Sequence, residues 1–144
     1  GKAFIDQNID RDKWFDEMRR FAGYRFLETG EYDLVVNLLG GVEILKPKDY
    51  LASALAKLKA GDAGMASQIL EDFSNVDWLR LKPAEIFIQY KLYQLLEMQR
   101  DLSSKEQQNT EALKLKLLEF GYPDADLDPE SKIEVTTFCA SPDN

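Results

Sequence analysis

The chain predicts an all-α protein of stacked antiparallel helical hairpins, about six helices in all. Three observations carry that prediction. Apolar residues recur at three- and four-residue steps through most of the length. Short turns bearing glycine (Thr29-Gly30, Gly61-Asp62, Gly121) separate the periodic stretches. Beyond them, only residues 133–138 have a weak strand pattern, and a lone strand has nothing to pair with.

The first helix is predicted over residues 10–28, with Trp14, Phe15, Met18, Phe21, Ala22 and Phe26 as its apolar positions. Thr29-Gly30 stops it, because glycine suits the left-handed position after a helix. The second is expected over 31–45. Val35-Val36 suits a strand, but the length and wide apolar face favour a buried helix that Gly40-Gly41 weakens from within and Pro47 ends. The third, over 48–60, places Tyr50, Leu51, Ala54, Leu55 and Leu58 on one side. Asp62 then caps a fourth over 63–73, with Ala66, Ile69, Leu70 and Phe73 inward. The link 74–82 carries Val76, Trp78, Leu79 and Leu81 and is expected to pack on the body. Pro83 opens a fifth helix, to Met98, that is apolar almost all round; such a helix is central or covered by a partner. Ser103 and Ser104, followed by Glu106 and Gln107, give a capping box for a sixth that runs to Phe120.

A chain of 144 residues with 44% hydrophobic content can bury a real core. Two units are expected: a helical domain over 1–121 and an acidic, flexible tail over 122–144, where six acidic side chains face one lysine. The net charge of −8 argues against nucleic acid and against anionic membrane surfaces. No apolar run is long enough to span a membrane, and residues 1–10 lack the pattern of a signal peptide. Cys139 is the single cysteine, so no intrachain disulfide is possible and a reducing, cytoplasmic location is expected.

Histidine is absent, which removes the commonest general base and nitrogen ligand. No phosphate loop, nucleophile motif or dinucleotide fingerprint is present. No enzymatic activity, cofactor or metal is therefore expected. The acidic neighbours Asp16-Glu17 and Glu71-Asp72 point in different directions on a helix and read as solvated surface. Arg19, Arg20 and Arg25 are expected to pair locally with Asp16 and Glu28. Cys139 lacks an electropositive setting and reads as incidental.

The turns at Gly30 and Gly61 repeat at an offset of 31 residues, each between two amphipathic helices. With Gly23, Phe26, Tyr32 and Pro47 in one unit and Ala54, Ala66 and Asp62 in the next, the chain resembles a degenerate tetratricopeptide repeat. It departs from that family in its shorter period, in Arg19 where tryptophan is common, and in a third unit without the turn glycine. The layout of an early Leu45-Lys46-Pro47, a helix, a Gly61-Asp62 turn and an alanine-bearing helix is similar to the tetratricopeptide-like chaperones of bacterial type III secretion. The resemblance implies a concave face lined by the first helix of each pair. It would carry Tyr24, Leu27, Leu51, Leu55, Leu58, Ile86 and Tyr90 and hold an amphipathic helix of a protein client. The function implied is a chaperone or adaptor. The alternative is a structural subunit of a homo-oligomer or scaffold, docking through helix 83–98.

Overall fold

A computed structural model describes the backbone of residues 2–127 and the side chains of residues 14–127. The strand pattern at 133–138 and Cys139 lie outside the described residues. Six helices follow in order: α1 (Lys2–Thr29), α2 (Tyr32–Leu39), α3 (Pro47–Lys59), α4 (Ala63–Asn75), α5 (Pro83–Gln99) and α6 (Ser104–Glu119). A 3-10 turn, Asp124–Leu127, ends the described chain. The described residues contain no strand. The fold is all-α, as the periodicity predicts.

Helices α1 and α2, α3 and α4, and α5 and α6 pack as hairpins, and α3 joins the first pair to the last. Local chemistry sets most of the boundaries. Gly30, Gly61 and Gly121 take positive φ of 83°, 81° and 95° directly after a helix. In each case the next N–H turns back to a carbonyl of the last turn: Glu31 to Phe26, Asp62 to Lys57, Tyr122 to Leu117. Asp62 Oδ1 accepts from the Met65 N–H at 3.1 Å. The Ser103–Glu106 capping box closes in both directions, at 3.2 and 2.9 Å.

Three boundaries differ from expectation. The first helix starts at Lys2 rather than near residue 10. The second stops at Leu39, because Gly40-Gly41 ends it rather than merely softening it. Val42 is buried in the loop beyond, while Ile44 and Leu45 are exposed. Pro47 therefore does not terminate a helix; it opens α3, where its missing N–H costs nothing.

The core centres on α3, whose Leu51, Ala52, Ala54, Leu55, Ala56 and Leu58 are all buried. It continues through Leu70 and Phe73 of α4 and Leu92, Tyr93 and Leu96 of α5. Gly23 lets α1 cross α2 closely: a Cβ there would stand 2.9 Å from Leu39 Cδ2. The link between α4 and α5 packs on the body, with Trp78 Nε1 donating to the Phe73 carbonyl at 2.9 Å and its ring edge-on to Tyr50. A second, smaller cluster joins Ile86, Tyr90, Leu117 and Leu127. The body thus extends past residue 121, where the helical domain is expected to end.

Candidate protein-binding surface

The structure does not assemble the predicted trough. Leu27, Leu51, Leu55, Leu58, Ile86 and Tyr90 are all buried within the monomer. Tyr24 is half-buried, and its hydroxyl donates to Asp49 at 2.7 Å. The physical reason is that α3 is enclosed by its neighbours rather than opening onto a concave face, so its leucines are core. The apolar helix 83–98 is likewise central, covered by α3, α4 and α6 of the same chain.

Large apolar side chains are exposed at scattered positions, among them Leu79, Met98 and Leu115, and those on the outer face of α1 form a stripe. Trp14 is 55% exposed, Met18 51% and Phe21 74%, with Phe15 beside them. The spacing of 14, 18 and 21 puts these three on one stripe. The Trp14 and Phe15 rings meet edge to face at 5.0 Å. Exposed Glu17, Arg25 and Glu28 border the stripe, and Arg25 pairs with Glu28 at 3.7 Å, as expected of a local ion pair.

The opposite face of α1 packs through Leu27 and Gly23, and beside the stripe it is held by polar contacts. Asp16 is buried, not solvated. Its carboxylate accepts from the Glu43 and Ile44 N–H groups at 2.8 and 3.0 Å. Burial pushes its pKa up, but those two N–H groups and the charges of Arg20 and Arg19 outweigh burial and leave it below the usual value. Arg20 Nε reaches across to Asp49 at 3.0 Å rather than to Asp16, and its Nη2 donates to the Ile44 carbonyl. Asp49, also buried, accepts in addition from the Lys46 N–H at 3.0 Å. These contacts clamp α1 to the loop before α3 and fix its rotation. Sequence periodicity marks Trp14, Met18 and Phe21 as apolar positions of one face, and the structure turns that face to solvent.

At the far end of the stack the seat between α5 and α6 is covered. Tyr122 stacks on Phe87 with ring centroids 5.2 Å apart. Leu127, only 3% exposed, sits against Ile86, Tyr90 and Leu117. Its carbonyl accepts from Tyr90 Oη at 3.2 Å and from Gln94 Nε2 at 2.9 Å. Lys91 Nζ donates to Gln94 Oε1 at 2.9 Å, which orients the amide. Burying one leucine contributes about 1.5–3 kcal/mol and one ring stack about 0.5–1.5 kcal/mol. The segment is held by these two anchors and one shared carbonyl at the end of the described chain.

A cleft of about 360 Å³ between α4 and α6 includes Ser67, Glu71, Arg100, Lys105 and Glu106 in its lining. Its charges satisfy one another. Arg100 binds both Glu106 oxygens, at 2.9 and 3.0 Å, and Ser67 Oγ donates to Glu106 at 2.7 Å. The hydrogen bond from Arg100, opposed by burial and helped by Ser103 and Ser67, holds the Glu106 carboxyl at about 2. The cleft is a structural pin between α4 and α6.

No protein-family model matches the chain, nor does any curated protein or solved structure. Among the described residues, no helix is long and apolar enough to cross a membrane.

Proposed function

We propose that this chain is a protein-binding chaperone or adaptor that holds an amphipathic helix of a client against the outer face of α1. One observation carries the reading: an aromatic and methionine stripe stands in solvent on a helix whose other face is pinned by buried polar contacts. Among the described residues nothing covers Trp14, Met18 and Phe21, and exposed Glu17, Arg25 and Glu28 border them as a polar rim. A client helix laid on Trp14, Met18 and Phe21 would bury side chains that each contribute about 1.5–3 kcal/mol. The likeness to type III secretion chaperones suggests the client class: a subunit that polymerises through apolar helices and is kept apart in the cytoplasm until export.

The test is purification of the tagged chain and of Met18→Glu/Phe21→Glu from the native source, with bound proteins identified and then titrated back. A helical client that copurifies with the wild type, raises its melting temperature and leaves the double variant supports the reading. Equal recovery by both, or an unchanged melting temperature at saturating client, overturns it. Light scattering that finds a stable dimer lost in the double variant assigns the stripe to a second copy instead.

A further inference from the structure

We propose that the α1 helices of two copies of this chain pair antiparallel through the stripe that runs from Trp14 to Arg25, covering it when no client does. This concerns the same face as the client reading but does not rest on it, because the pairing needs only the chain itself.

The stripe has the spacing of a two-helix seam. Trp14, Met18, Phe21 and Arg25 follow one another at steps of four, three and four residues, the alternation that keeps a row of side chains facing a neighbouring helix. All four are exposed. Asp16 and Gly23, on the opposite side of α1, are buried against the chain's own body. Two bodies joined through their stripes would therefore lie on opposite sides of the helix pair and not collide.

The order of charged and apolar residues is what points to a second copy, and it also sets the direction. In an antiparallel pair with Met18 opposite the partner's Phe21, Phe21 stands opposite the partner's Met18. Trp14 then stands opposite the partner's Arg25, and Arg25 opposite the partner's Trp14. The centre is apolar in both halves, and each end lays a guanidinium on an indole face. Every contact occurs twice, as a two-fold interface requires. Along one edge, exposed Glu17 falls beside the partner's Tyr24. Lys48 Nζ stands 4.8 Å from the centroid of that ring within each chain, so a carboxylate approaches an ammonium. Along the other edge, Phe15 meets the partner's Ala22. A parallel pair instead sets Arg25 against the partner's Arg25 and Glu28 against the partner's Glu28, and like charges exclude it. Two single helix faces make a small interface, so the pairing is expected to be weak and reversible.

The test is sedimentation equilibrium of the full chain alone over a range of concentrations, which is expected to show monomer and dimer in exchange. Phe21→Asp is expected to abolish the dimer. Arg25→Gln leaves the apolar centre intact and removes both guanidinium–indole contacts, so it is expected to raise the dissociation constant about five- to thirtyfold. The direction is read with a nitroxide on Thr29→Cys in a chain whose native thiol is removed by Cys139→Ser. Antiparallel pairing sets the two labelled positions roughly 30 Å apart along the axis, at about 1.5 Å per residue, whereas parallel pairing brings them within roughly 10 Å. A chain that stays monomeric up to millimolar concentration overturns the proposal. So does a dimer that survives Phe21→Asp, or the short label distance. If Phe21→Asp loses the native far-ultraviolet signal, Arg25→Gln decides, and an unchanged dissociation constant overturns the proposal. The client reading fails separately, by copurification, and a chain that never dimerises leaves it standing.

Discussion

The two ends of the helical stack handle apolar surface in opposite ways. At the α5–α6 end, Ile86, Phe87 and Tyr90 are roofed by Tyr122 and Leu127 of the same chain. At the α1 end, Trp14, Met18 and Phe21 have no roof among the described residues. The inner contacts differ too. α6 docks with a buried leucine, Leu117, and the Glu106 pin, while α1 docks with Leu27 in the core and, beside the stripe, through Asp16, Arg20 and Asp49. Where charge and hydrogen bonds hold α1, at Asp16 and Arg20, the neighbouring Trp14, Met18 and Phe21 can face out, because the attachment there does not need them. At the α5–α6 end the covered residues are those under Tyr122 and Leu127, while Leu115 and Phe120 of the same end stay exposed.

The sharpest way to break this comparison is to remove the charge pin. Asp49→Ala strands Arg20 without its carboxylate and frees the Tyr24 hydroxyl and the Lys46 N–H. Loss of one partner from a buried pair costs about 3–5 kcal/mol, and urea unfolding should read a loss of that size. A loss under about 1 kcal/mol would mean that α1 is held by packing after all. At the other end, Leu117→Ala should cost about 2–5 kcal/mol. Leu127→Ala should cost only about 1 kcal/mol, because a terminal segment opens locally before the body does. Equal losses at the two leucines would remove the distinction between body and roof.

Acid sharpens the comparison next. The folded-state carboxyl of Glu106 sits at about 2 against an ordinary 4.5. Its contribution is therefore complete above pH 4.5 and is lost as pH falls from there toward 2. Asp16 is shifted in the same direction by its backbone donors and so loses its contribution in acid as well. Denaturation midpoints should drop through that window by an amount corresponding to about 1–3 kcal/mol for Glu106. Glu106→Gln should shrink the drop while lowering stability at neutral pH. An undiminished drop would assign the acid sensitivity to Asp16 and the α1 clamp alone.

Where the sequence is legible, the determinants are local. Ser103 with Glu106, Asp62 before Ala63, Pro83 at a first turn and the glycines after three helices each act within a few residues, and the structure places them as read. Facing is a different matter. Periodicity groups Trp14, Met18 and Phe21 on one stripe but says nothing about what lies opposite. The residues that hold the inner face, Asp16 and Arg20, find partners 27 to 29 positions away in the loop 43–44 and in Asp49. Taken alone, such a face is indistinguishable from a solvated one. The segment 122–127 is misread for a related reason. Its exposed acids, Asp124 and Asp126, set the composition, whereas two anchors five residues apart decide where it goes.

The smallest expected effect is the one that bears most on function. Phe21→Ser removes a ring that is 74% exposed. Surface substitutions of this kind change stability by no more than about 0.5 kcal/mol. Neither the melting temperature nor the urea midpoint should move beyond that. The same change takes about 1.5–3 kcal/mol of burial away from any helix laid on the stripe, a loss of roughly ten- to a hundredfold in affinity. Stability and binding should therefore separate cleanly at this position and coincide at Leu117. If Phe21→Ser destabilises the free chain by more than about 1 kcal/mol, the ring is covered by the chain itself. The α1 end would then resemble the α6 end, and the asymmetry between the two would disappear.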